Sequence, residues 1–164
     1  MKTLLLLRHA KSSWKNTRLA DHDRPLNQRG QHDAPRMGRQ LIHNDLVPEL
    51  IISSTAERAS ATAEAVALAA DFQGEINYTR RLYHAGFETY VGELQRLPDQ
   101  IDCVMLVGHN PGMEELVEEL TGSYESMPTA SLAQIELPVS SWGDVNEGTE
   151  GRLINVWRPK ELPG

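Results

Sequence analysis

The sequence predicts an α/β fold: a three-layer α/β/α sandwich around a mixed, mostly parallel central sheet. Three observations carry this. Unbroken apolar runs, "LLLL" at 4–7 and "VMLV" at 104–107, are the kind that become strands buried on both faces of a parallel sheet. Strand-like and helix-like segments alternate along most of the chain. The end of the chain then turns β-rich, which adds antiparallel pairs to the sheet.

Taken in order, Thr3 to Arg8 is the first strand, and Lys11 to Leu26 is a polar loop of a length that is usually functional. Arg29 to His43 reads as a helix, with Ala34, Met37, Leu41 and Ile42 near helical spacing and Pro35 in its first turn. Glu49 to Ser53 is a second strand. Thr55 is then the expected N-cap of an alanine-rich helix running to Ala70. Ile76 to Thr79 is a third strand, and Glu88 to Leu97 a helix closed by Pro98. Asp102 to Val107 is a buried strand that runs into Gly108-His109-Asn110-Pro111-Gly112, and Met113 to Leu120 is a helix with an acidic outer face. Ala130 to Leu137 and Arg152 to Trp157 are two antiparallel strands separated by a polar loop.

The length of 164 residues buries a real core, and residues 1–164 read as one domain. A net charge of −7 argues against nucleic acid or an anionic membrane as the main partner. Cys103 is the only cysteine, so no internal disulfide forms, and its place in an apolar run marks it as inert core. The start, Met1-Lys2-Thr3 and four leucines, imitates a signal peptide. The apolar run is too short for one, and Arg8, His9 and Lys11 interrupt it. A cytoplasmic location is the expectation.

The chemistry lies at strand ends. The first strand finishes on Arg8-His9, and the strand from Asp102 finishes on Gly108-His109. Arg58 falls in the first helical turn after the second strand. Two histidines and two arginines thus converge on the carboxyl edge of the sheet, where open α/β folds bind ligands. The matching guest is a tetrahedral dianion, because guanidinium forks pair with phosphate oxygens and helix N-termini add donors. Each feature alone has a bland reading as a loop salt bridge, a tight turn or a solvated helix residue. Their joint occurrence just past predicted strands is what points to a site.

"LLLLRHAKSSW", "DHDRPLNQRGQHDA", "IISSTAERASATAEAV" and "MLVGHNPGMEELVEEL" together resemble the histidine phosphatase superfamily, which is phosphoglycerate mutase-like in fold. The resemblance covers nearly the whole chain and is closest to the SixA-type phosphohistidine phosphatases among its small members. Ala10 replaces the common glycine of the family's Arg-His-Gly signature. Trp14 matches a tryptophan of the related mutases, while Lys15 stands where they carry asparagine. The resemblance implies that His9 is a nucleophile forming a phosphohistidine. Arg8, Arg58 and His109 would hold the phosphoryl oxygens and supply a cationic field that makes a metal or other cofactor unnecessary. Ser12 is a further candidate donor to phosphate.

Relatives that cleave phosphate esters carry a general-acid carboxylate after the third strand. Here that region reads Arg81-Leu82-Tyr83-His84-Ala85-Gly86, with no carboxylate before Glu88. An alkoxide leaves poorly without a proton, whereas imidazole, with a pKa near ~6.5, leaves readily. His84 and Glu88 are the candidate acids if there is one. Asp21-His22-Asp23-Arg24 imitates a metal or haloacid-dehalogenase aspartate pair, but no apolar strand precedes it, and a loop that orients Arg24 or the adjacent Pro25 turn is the simpler reading. The pairs His22-Asp23 and His32-Asp33 imitate the dyads of metal-dependent HD phosphohydrolases, a helical fold that the β-rich pattern opposes. Glu114, Glu115, Glu118 and Glu119 read as a solvated helix face. The adopted function is removal of phosphate from phosphohistidine in a signalling or phosphotransfer protein. A small-metabolite phosphomonoesterase or mutase, and a phosphoprotein-binding module without turnover, are the alternatives.

Overall fold

The computed structural model describes residues 1–163. Its elements run β1 (Lys2–Arg8), α1 (Gln28–His43), β2 (Leu50–Ser54), α2 (Glu57–Ala69), β3 (Glu75–Thr79), α3 (Phe87–Gln95), β4 (Cys103–Gly108), α4 (Gly112–Thr121), β5 (Leu132–Leu137) and β6 (Arg152–Trp157). The six strands form one sheet in the order β3-β2-β4-β1-β5-β6. The pairs β3–β2, β2–β4 and β4–β1 are parallel, and β1–β5 and β5–β6 are antiparallel. This is the mixed, mostly parallel sheet expected. Among the described residues, no helix is long and apolar enough to cross a membrane.

The leucine run has a direct explanation. Side chains alternate across a strand, so Leu4 and Leu6 enter one core with α3 and α4, while Leu5 and Leu7 enter another with α1 and α2. All four are fully buried. Each contributes roughly 1.5–3 kcal/mol by leaving water, and a strand buried on both faces needs no polar alternation. In β4, Val104 and Leu106 share the first core, and Met105 and Val107 the second.

The layering places the site. The chain leaves β1 and β2 toward helices on one face of the sheet, but leaves β4, which lies between them, toward α4 on the other. Such a reversal opens a crevice at the carboxyl ends of the strands. Glycines let the walls close around it. A Cβ on Gly108 would lie 2.3 Å from the Tyr90 hydroxyl, and one on Gly30 would lie 2.2 Å from the Lys11 carbonyl oxygen.

Several local expectations are corrected. Thr55 does not cap α2; its hydroxyl is hydrogen bonded to His22 Nε2 at 2.8 Å, and Ser54 Oγ accepts from the Ala56 N–H instead. Pro35 lies inside α1 rather than in its first turn, because Asn27 starts the helix by accepting from the Gly30 N–H. α3 ends at Gln95, where Leu97 N–H turns back to Leu94 O. The loop between β5 and β6 is not wholly polar: Trp142 is fully buried and donates from Nε1 to Ile101 O at 2.7 Å. Glu114 is no solvated residue either. It accepts from Asn110 Nδ2 at 2.9 Å and from the Met127 N–H at 2.7 Å, joining α4 to the chain before β5. Cys103 is only half-buried, although burial pushes its thiol up to about 12.

Candidate active site

The parallel register of β1 and β4 sets Arg8 beside Gly108. His9 extends the ladder by one bond, its N–H donating to Gly108 O at 3.0 Å. His109 leaves β4 at the same level, so the two imidazoles face each other. Arg58 arrives from the first turn of α2. Arg8, His9, Ser12, Arg58 and His109 all line one cavity of about 330 Å3. His84 lines it too. Glu88 does not: it lies on α3 beside Phe87 and Val91, over a different surface depression.

The cavity has one sign of charge. Arg8, Lys11, Arg24 and Arg58 line it, and among the described residues no carboxylate does. In a chain of net charge −7 this concentration of cations marks an anion site. Arg8 and Arg58 are also not fully paired. Nε of each is buried without a protein acceptor, a desolvation cost that a nearby anion offsets.

His9 is fixed by a backbone carbonyl. Its Nδ1 lies 2.8 Å from Ala10 O. A carbonyl only accepts, so Nδ1 carries the hydrogen and Nε2 keeps its lone pair. Burial, and then the neighbouring charges of Arg58, Arg8 and Arg24, push the imidazole down to about 4, against the pull of the Ala10 carbonyl. Ala10 is itself fully buried, and its N–H donates to Thr62 Oγ1 at 3.0 Å, which ties the loop after His9 to α2. His109 is pushed down to about 3 by burial, then by His9 and Arg58, and its Nε2 lies 2.9 Å from Ser54 Oγ. His109 is therefore neutral, and the cations that line the cavity are the arginines and Lys11.

Sequence reasoning missed the carboxylate that organises the arginines. Asp21 sits in a short 3-10 turn (Asp21–Asp23). Its Oδ2 accepts from Arg58 Nη2 at 2.9 Å and from the Tyr83 hydroxyl, and its Oδ1 accepts from Arg24 Nε at 3.1 Å. Arg58 Nη1 adds a bond to Asp21 O at 2.7 Å. These partners, the Tyr83 hydroxyl first, hold the Asp21 carboxyl far below the usual carboxylate range, so it is an anion and not a proton donor. Arg24 in turn donates to Ser12 Oγ at 2.7 Å and stacks on Trp14, its guanidinium carbon 3.5 Å from the ring centre. Ser12 thereby accepts from Arg24 and keeps its own hydrogen to donate. The loop over Asp21 to Arg24 does orient Arg24, and it anchors Arg58 as well. Nothing in the periodicity of that polar loop signals either contact.

Comparison with known proteins agrees with this geometry. The profile of the histidine phosphatase superfamily (branch 1) matches residues 4–102, more than half the chain, and includes Arg8, His9 and Arg58. A structure from Agrobacterium tumefaciens, provisionally assigned as the phosphohistidine phosphatase SixA, is 32% identical with a TM-score of 0.82, covering 96% of this chain and 98% of that one. The protein histidine phosphatase SixA complexed with tungstate has the same fold, with a TM-score of 0.83 at 22% identity over 98% of this chain and 99% of its own. An uncharacterised chloroplastic protein of Arabidopsis thaliana is 33% identical over 151 residues, 86% of this chain and 69% of its own. With two histidines and two arginines gathered at the β1–β4 edge and this profile match, the chain belongs to the histidine phosphatase superfamily, and its fold is SixA-like.

Proposed function

We propose that the protein is a phosphohistidine phosphatase that acts through a phosphohistidine intermediate on His9. The observation that carries this is the state of His9: Nδ1–H is spent on Ala10 O, and Nε2 is unprotonated inside a cavity lined by cations. The Nε2 lone pair attacks phosphorus as the bond to the leaving nitrogen breaks. Arg8, Arg58 and a donor from Ser12 or His109 stabilise the charge on the equatorial oxygens. The leaving imidazole takes its proton from solvent. Water then attacks the phosphoryl group on His9, giving inorganic phosphate and the free imidazole. The arginines make each step electrostatically feasible without a Lewis acid.

The lining favours a nitrogen leaving group. Asp21 is the carboxylate closest in role, but it is ionised and bonded to Arg58, Arg24 and Tyr83, so it has no proton to lend to an alkoxide. The A. tumefaciens relative, described as a phosphohistidine phosphatase, points the same way. The deciding experiment is turnover of a phosphohistidine peptide beside a phosphoserine peptide and small sugar phosphates. Preference for phosphohistidine is expected, with an acid-labile, base-stable phosphoenzyme that disappears in His9→Ala. Faster hydrolysis of a sugar phosphate would hand the site to metabolite chemistry.

A further inference from the structure

The charge of this chain is divided in space. Residues 11–43 carry seven Lys and Arg against three Asp, whereas the remainder carries nine against twenty Asp and Glu. That basic stretch is the loop at the cavity mouth followed by α1. Of its three aspartates, Asp21 is bound to Arg58 and Arg24, Asp33 is buried between Arg29 and Arg36, and only Asp23, 3.6 Å from His22 Nδ1, is exposed without an arginine partner. Lys15, Arg18, Arg29, His32, Arg39 and His43 all stand exposed. On α1, Arg29, His32, Arg36 and Arg39 recur at each turn, and no exposed carboxylate interrupts them.

The stripe is continuous with the cavity. Lys11 lines the cavity, its carbonyl accepts from the Asn27 N–H at 3.0 Å, and Gly30 packs directly on its backbone. Farther along, α1 and the chain from Pro159 to Pro163 line two grooves. One, of about 210 Å3, is lined by His32, Arg36 and Arg39; the other, of about 190 Å3, by Arg29, Arg36 and Lys160. Arg36 donates to Pro159 O at 3.1 Å, which ties α1 to that segment.

We propose that the loop over residues 11–18 and the outer face of α1 dock an acidic face of the phosphorylated partner protein and steer its phosphorylated side chain into the cavity. The proposal rests on the phosphoprotein reading of the site. A folded acidic surface fits better than nucleic acid or membrane. The stripe is narrow and interspersed with neutral Gln28, Gln31 and Gln40, while the rest of the molecule repels a long polyanion. Complementary charge of this kind acts mainly on the association rate and weakens with salt.

The test uses the whole protein and Lys15→Glu/Arg18→Glu/Arg39→Glu, three exposed positions outside the cavity lining. Labelled acidic, neutral and basic peptides are compared by fluorescence anisotropy, and phosphohistidine versions of each by kcat/KM. The acidic peptide should bind about tenfold tighter than the neutral one at about 20 mM NaCl, an advantage lost near 300 mM and in the triple variant. Aryl phosphate turnover should stay within about twofold of the unaltered protein, showing that the cavity is intact. Equal binding of acidic and neutral peptides overturns the proposal, as does tighter binding of duplex DNA or anionic vesicles. Acidic-peptide binding that the triple variant abolishes, without phosphohistidine turnover on any flank, sustains the docking surface and overturns the substrate reading instead.

Discussion

The imidazoles of His9 and His109 stand 5.1 Å apart between ring centres, with planes 52° from parallel, each just past the end of one of two adjacent strands. Neither is protonated cheaply there, because both are buried and both stand near Arg58. Burial and the neighbouring charges hold them down to about 4 and about 3. The acid limb of kcat/KM, which reports the free enzyme, should therefore lie near 4 and not near the ordinary 6.5. A limb near 6.5 would mean that His9 is solvated.

The same depression predicts a stability profile. Above pH 6.5 both histidines are neutral, folded or unfolded, and contribute no pH dependence. Between 6.5 and about 4 the unfolded chain binds protons that the native site refuses, so stability falls as pH falls through that window. Thermal melting from pH 8 to 4 should show a Tm loss that His109→Gln reduces. An equal slope in the variant would remove His109 from the account.

Asp21 fixes Arg58 and Arg24 at once, so its loss should act at the oxyanions without disturbing His9. Asp21→Asn should lower kcat/KM by about 10- to 100-fold, and Arg58→Ala by more. Vanadate should raise the Tm of the unaltered protein by stabilising the native state. That protection should shrink in Asp21→Asn and vanish in Arg58→Ala. Full protection in Arg58→Ala would place the anion elsewhere.

With no protonated carboxylate at the cavity, rate should depend on the leaving group. Across aryl and alkyl phosphates at fixed pH, kcat/KM should fall steeply as leaving-group pKa rises. His84 lines the cavity at a left-handed φ of 61° and stacks on Tyr83 with centroids 3.9 Å apart. His84→Ala should leave the steep profile unchanged. A flat profile that His84→Ala makes steep would identify His84 as the acid.

Gly108 carries both the end of β4 and the contact with Tyr90. Gly108→Ala should destabilise the protein by about 1–3 kcal/mol through overpacking. Tyr90→Phe removes the hydroxyl that a Cβ would meet at 2.3 Å, leaving the ring carbon at 3.3 Å as the nearest obstacle. Denaturant unfolding of the double variant should recover most of the loss. No recovery would show that losing the Tyr90 hydroxyl as acceptor for the His109 N–H costs as much as the relieved clash returns.

What the sequence made legible follows the strength of its local signals. Leu4 to Leu7 and Val104 to Val107 are unbroken apolar runs, so both central strands and the placement of Arg8, His9 and His109 at their ends could be read directly. Asp21, Tyr83 and Ser54 could not, because their roles come from contacts between segments 37 to 62 residues apart. Glu114 was hidden by its own neighbours: three other glutamates on α4 are exposed, and only packing against Met127 distinguishes it. Thr55 looked like a cap because the residue type was right, but its hydroxyl is engaged by His22 from the distant Asp21–Asp23 turn, and Ala56 stands at the cap position.

β1 is an interior strand, bonded along its length to β4 on one side and β5 on the other, with a leucine pair sunk into each of two cores. Amides so placed exchange with deuterium only when the whole molecule opens, not through local fraying. His9 follows such a strand directly, so the proposed nucleophile is mounted where the protein is slowest to loosen, while Trp14, Lys15 and Arg18 ride on an exposed loop beside it. In a denaturant series the loop should shed its protection first, and phosphoryl transfer to His9 should persist until β1 itself is released.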